Sequence, residues 1–109
     1  MREIKALVRT ERLDHVVDAL HAIEELPGIT ISVVRGIGRT HGGDTETSSF
    51  GEVQMAKLEI VIEAALEDRV VDAIVKTAHT GRPGDGKIFV YPVARVVRIR
   101  TSEENAPAL

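Results

Sequence analysis

Hydrophobic spacing along this chain switches from a period of two to a period near 3.6 twice, in the same order, and that repetition leaves few architectures open. Residues 2 to 9 alternate, with Ile4, Ala6 and Val8 on one face and Glu3, Lys5 and Arg9 on the other, the pattern of a half-buried strand. From Arg12 to Glu25 the apolar residues Leu13, Val16, Val17, Leu20 and Ile23 fall on one helical stripe, which Pro27-Gly28 ends. Ile29 to Arg35 is rich in β-branched residues and reads as a second strand. The same succession then returns. Val53 to Glu63 sets Leu58, Ile60 and Ile62 against Glu59 and Glu63, a third strand. Leu66 to Ala78 carries a stripe of Val70, Val71, Ile74, Val75 and Ala78, with Glu67 and Asp68 suited to the dipole of its first turn. Ile88 to Ile99 is a last extended segment, bent or divided at Pro92, which has no N–H for a ladder.

This order predicts an α+β domain of the ferredoxin-like βαββαβ type, an antiparallel sheet with two helices on one face, because right-handed crossovers place both helices on the same side. A chain of 109 residues with 43% hydrophobic content forms one domain, residues 1 to 109. Two phenylalanines, one tyrosine and no tryptophan mean that its core is aliphatic. The second sheet face is too apolar for free solvation, since Leu7, Val34, Val61, Phe89, Ala94 and Val96 have the opposite parity. Self-association over that face is expected.

A net charge of -3 argues against a nucleic-acid partner, which needs a basic footprint. The absence of cysteine excludes disulfides, thiolate metal sites and a cysteine nucleophile. The four histidines make no spaced pair on a helical face; His41, with Asp44 and Glu46, lies in a loop, and no metal site is expected. No apolar run approaches the roughly 20 residues that cross a bilayer, and Met1 to Lys5 lack a signal-peptide core, so a cytoplasmic protein without membrane insertion is expected. Residues 36 to 52, rich in glycine, serine and threonine with Ile37 and Phe50 as their large apolar side chains, read as a long loop of the kind that carries function.

The chemistry concentrates in Thr80-Gly81-Arg82-Pro83-Gly84-Asp85-Gly86-Lys87-Ile88-Phe89-Val90, followed by Val96-Val97-Arg98-Ile99-Arg100. Glycines bare the backbone N–H groups that wrap an anion, Lys87 brings an ammonium, and Arg98 and Arg100 carry guanidiniums that grip phosphate oxygens in pairs. The spacing is not that of a Walker A loop, and Ile88 after Lys87 leaves no hydroxyl for magnesium. A polyphosphate site and a plain glycine turn with solvated arginines both fit this spacing.

The run from Thr80 to Val93, continued by Ala94-Arg95-Val96-Val97-Arg98-Ile99-Arg100-Thr101, resembles the C-terminal signature of the PII signal-transduction proteins. Gly36-Ile37-Gly38-Arg39 resembles the start of that family's T-loop. The resemblance implies a homotrimer that binds ATP or ADP in the clefts between subunits and acts on a target protein, not an enzyme. It implies a T-loop at about 37–53, a B-loop at about 80–87 and a C-terminal segment at about 98–109. Gly84, Asp85, Gly86 and Lys87 would form the phosphate cradle and Arg98 and Arg100 would complete it. Gly38 and Arg39 would arrive from the T-loop base, with Thr30 and Val61 nearby.

Departures from the family pattern fall on the T-loop. It lacks a tyrosine, the chain's single one being Tyr91, so nucleotidylation there is ruled out. Ser48 and Ser49 are the hydroxyls that a T-loop phosphorylation would use, although serines in loops are ordinarily solvated. Thr40 replaces the usual glutamine that helps hold Mg2+ and 2-oxoglutarate, and Met55 stands where a lysine is usual, with Lys57 two residues on. The expectation is a divergent regulator whose nucleotide cradle is intact, with Thr40 at its edge, and whose 2-oxoglutarate input is altered. Its target would be a transporter, an enzyme or a transcription regulator in nitrogen, carbon or energy-status control. The alternatives are a nucleotide-independent interaction module, a regulator associated with metal or bicarbonate transport, and a slow ATPase in which Asp85 orients water.

Overall fold

The computed structural model describes residues 1–40 and 49–109, with side chains described outside residues 39–51. Strand β1 (Arg2–Arg9) leads through a 3-10 turn (Thr10–Arg12) into helix α1 (Leu13–His21), then β2 (Thr30–Thr40), β3 (Ser49–Ile62), a second 3-10 turn (Ala64–Leu66), α2 (Glu67–Ala78) and β4 (Gly86–Pro92). The four strands form an antiparallel sheet in the order β2-β3-β1-β4. This is the ferredoxin-like arrangement expected from the doubled period switch.

The even-numbered residues of the two central strands face the helices. Ile4, Ala6 and Val8 of β1 and Leu58, Ile60 and Ile62 of β3 are buried there against Val16 and Leu20 of α1 and Val70 and Ile74 of α2. Truncating a fully buried side chain such as Leu20 or Ile74 to alanine costs about 2–5 kcal/mol in such a core. Arg12 joins the helices at one end, its Nε and Nη2 donating to the Thr77 carbonyl at 2.9 and 2.7 Å in the last turn of α2, where cation and dipole agree.

Three expected boundaries are corrected. Helix α1 ends at His21 rather than Glu25, because Ile23 and Leu26 donate to carbonyls three residues back and tighten the chain into turns that still bury Ile23. The segment 36–52, expected as a loop, enters and leaves as strand: β2 and β3 stay paired to Thr40 opposite Ser49. No helix stands behind this ribbon to impose apolar alternation, so hydrophobic spacing carried no trace of it. The last extended segment stops at Pro92, where the Val93 amide turns to the Met1 carbonyl at 3.0 Å. Residues 96–105 instead fold on themselves, with Val97 bridging Glu104 and the Ser102 amide donating to Arg98 at 2.8 Å.

The second sheet face is more mixed than expected. Leu7, Val34 and Val61 are half-buried on it and Phe89 is exposed, but Ala94 and Val96 lie beyond β4 and do not belong to the sheet. Among the described residues no helix is long and apolar enough to cross a membrane.

Candidate anion loop and its partner surfaces

The loop that joins α2 to β4 is organised by one carboxylate. Asp85 Oδ2 accepts the Thr80 amide at 2.8 Å and the Gly81 amide at 2.9 Å, while Oδ1 accepts the Thr80 hydroxyl and the Arg9 Nε–H, the latter at 2.9 Å. Arg9 also donates through Nη2 to the Pro83 carbonyl at 2.7 Å, and Arg82 N–H reaches the Thr80 hydroxyl oxygen at 3.2 Å. The Thr80 hydroxyl and amide, then the Arg9 guanidinium, hold the Asp85 carboxyl well below the usual carboxylate range. Asp85 is therefore the loop's internal tie, and each of its oxygens already accepts two hydrogen bonds, which competes with the water-orienting role considered for it.

Glycine is required where the loop closes. Gly81, Gly84 and Gly86 all have positive φ, at 85°, 93° and 104°. A Cβ on Gly86 would stand 1.7 Å from the Leu7 carbonyl oxygen, so the backbones of β4 and β1 approach there to a distance that no side chain allows.

Beside this loop lies a cavity of about 710 Å³ on the open face of the sheet. Gly84, Asp85, Gly86 and Lys87 border it on one side, and Gly36, Gly38 and Val53 at the ribbon base border it on the other, with Leu7, Met55 and Phe89 beneath. Five of the expected site residues thus meet at one place: Gly38, Gly84, Asp85, Gly86 and Lys87. Arg39 and Thr40 continue β2 from this rim, opposite Phe50 and Ser49, and their side chains lie outside the described residues. His41, Asp44, Glu46 and Ser48 lie outside them altogether, as does the side chain of Ser49. Met55 lines the cavity, whereas Lys57 sits one pleat away beside Leu7 and approaches Glu59 at 3.5 Å.

The remaining expected residues are elsewhere. Thr30 and Val61 border a second cavity of about 410 Å³ with Glu3, Gly28 and Leu109. Gly38 lies eight positions further along β2 than Thr30, about 26 Å of strand. Arg98 donates to the Ala108 carbonyl at 3.4 Å and lies 3.5 Å from Glu103, and Arg100 is exposed in the following turn. The extended segment expected to run to Ile99 does not carry them, because the backbone turns back at residues 98–102. Within one chain, neither arginine lines the loop's cavity.

Arg9 was not among the expected site residues, and Thr80, which opens the expected B-loop, had no assigned role, yet both hold the loop. No local pattern marks Arg9; only the β1–β4 register, extended one step beyond Val8 and Gly86, sets it opposite Asp85.

A protein-family model described as "Nitrogen regulatory protein P-II" matches residues 1–103. The chain belongs to the PII family. Proteins named "Nitrogen regulatory protein P-II" from Azospirillum brasilense and Haemophilus influenzae are 43% and 44% identical to it, with the whole of each chain covered. "Nitrogen regulatory protein P-II 1" of Escherichia coli K12 is 42% identical over the same full extent. The PII match spans the 80–86 loop and the paired strands that border the large cavity. Among the described residues of this PII protein, no cluster of three His, Asp or Glu side chains is placed to hold a metal ion.

Proposed function

We propose that this protein is a cytoplasmic PII-type signalling regulator, a single domain over residues 1–109 that binds ATP and ADP and reports their ratio to a target protein. The observation that carries this reading is the closed glycine loop 80–86 facing the ribbon base across one cavity. Its inward carboxylate is neutralised by Arg9, Lys87 stands at its exit, and anions favour such a place.

The separation of the expected residues supports a site shared between subunits. Thr30 and Val61 lie a full strand away from the loop, and Arg98 and Arg100 lie near neither. A homotrimer that packs its open sheet faces together would bring one subunit's loop to another's strands and cover Leu7, Val34, Val61 and Phe89, which a lone chain leaves partly exposed. The adenine would then lie in the cleft, with the phosphates on Gly84–Lys87 and the two arginines.

Residues 37–53 form the effector arm. A ligand biases such an arm only through a difference in affinity between its states, and the γ-phosphate supplies one by reaching the Arg39–Thr40 end of β2. Hydrogen-exchange protection of 37–53 that differs between ATP and ADP supports this; equal protection removes it. Thr40 in place of glutamine weakens the Mg2+-dependent 2-oxoglutarate input, since a hydroxyl reaches a hard cation only from closer in.

Calorimetric titration with ATP and ADP, each with and without Mg2+ and 2-oxoglutarate, tests the reading. Tight ATP binding indifferent to 2-oxoglutarate is the expected outcome. Enhancement by 2-oxoglutarate would mean that nitrogen input survives Thr40, and no nucleotide binding would leave an interaction module.

A further inference from the structure

We infer that Arg9 is the positioning residue of the phosphate loop, clamping Asp85 and the Pro83 carbonyl from the neighbouring strand so that the loop is preset for a polyphosphate. This rests on the nucleotide reading above, and it adds a role for a residue that touches no phosphate.

The geometry is that of a two-point fork. Arg9 Nε holds Asp85 Oδ1 at 2.9 Å and Nη2 holds the Pro83 carbonyl at 2.7 Å. Asp85 in turn holds the amides of Thr80 and Gly81, so the start, the crest and the end of the loop are tied to one planar cation on β1. Both side chains are about one-fifth exposed, at 21% and 23%, which shelters the pair from full solvent competition. A guanidinium fixes two acceptors in one plane, whereas an ammonium is a point donor.

Two consequences follow for a bound anion. A loop that is already closed does not have to be ordered on binding, and that saving appears directly in affinity. The pair also balances the Asp85 charge beside the proposed phosphate position. Arg9 itself is spent on the loop's interior, so its effect on ligand is exerted through Asp85.

That last point separates positioning from a simple contribution of positive charge. If Arg9 acted only as a nearby cation, Asp85→Asn would remove a repelling carboxylate and tighten ATP binding. If Arg9 acts through Asp85, the same substitution opens the loop and weakens it.

The test is calorimetric titration of the full chain and three variants, Arg9→Ala, Arg9→Lys and Asp85→Asn, with ATP and with adenosine, after thermal unfolding shows each variant folded. The expected result is an ATP affinity lowered about tenfold or more in Arg9→Ala and Asp85→Asn, as for loss of a charge-assisted hydrogen bond, with adenosine unchanged and partial recovery in Arg9→Lys. Amide exchange at Thr80 and Gly81 should quicken in the same two variants. Unchanged ATP binding in Arg9→Ala, tighter binding in Asp85→Asn, or equal losses for ATP and adenosine would each overturn the positioning role. Failure of the wild-type protein to bind ATP would instead overturn the nucleotide reading and this role with it, an outcome distinguishable from the others by the wild-type titration alone.

Discussion

Two segments of this protein are rich in glycine, and they use it in opposite ways. In the 80–86 loop, Gly81, Gly84 and Gly86 take positive φ, and the turn they make is closed by hydrogen bonds to Asp85 and braced by Arg9 from β1. In the ribbon of β2 and β3, Gly36 and Gly38 are extended strand residues paired with Val53 and Gly51. A Cβ on Gly38 would meet nothing within 4 Å, whereas on Gly86 it would strike the Leu7 carbonyl. Glycine in the first segment is a conformational and steric necessity; in the second it leaves open positions in a ribbon held by backbone pairing and by the exposed ion pair of Arg35 and Glu52. A closed turn beside an open ribbon is the pairing that the proposed reporter role would use.

The sharpest way to break this contrast is to add a methyl group to each. Gly86→Ala should destabilise the fold by about 3 kcal/mol or more, because the strained φ and the clash with β1 add together. Gly38→Ala should fall within about 0.5 kcal/mol of wild type, as ordinary open surface positions do. Chemical denaturation measures both, and equal effects would mean that the two segments are not built differently.

Acid should distinguish them next. The folded Asp85 carboxyl lies below its ordinary value, so the stability it contributes is present above the usual carboxylate range, about pH 4, and is lost as pH falls towards its folded value. Asp85→Asn should flatten that part of the acid profile of the melting temperature. An unchanged slope would remove the carboxylate from its role as the loop's tie.

The smallest expected effect concerns Arg35. Its pair with Glu52 is exposed and lies away from the buried core. Arg35→Ala should quicken amide exchange along residues 36–38 while leaving the melting temperature unmoved, and added salt should reproduce much of the change in the wild-type protein. A large loss of global stability would mean that the ribbon belongs to the core after all.

Legibility followed the presence of a core. The alternations of β1 and β3 and the stripes of α1 and α2 could be read because one face of each packs against the other layer. The ribbon could not, since neither face is backed, and the segment after Pro92 misled because apolar residues such as Val96, Val97 and Ile99 look like strand while Ile99 is 97% exposed. At the site, the glycines, Asp85 and Lys87 stood out by composition. Arg9 did not, being one more polar residue on an alternating strand.

The order of elements, the aliphatic core and the glycine-lysine loop follow from the sequence by itself, because period, β-branching and glycine's missing Cβ are local properties. Tertiary structure alone decided that Arg9 braces that loop, that Gly86 is pressed against a neighbouring carbonyl, and that Thr30 and Val61 lie far from the residues they were grouped with. Those facts depend on strand register, which joins residues more than 70 positions apart in the chain and which no local pattern records.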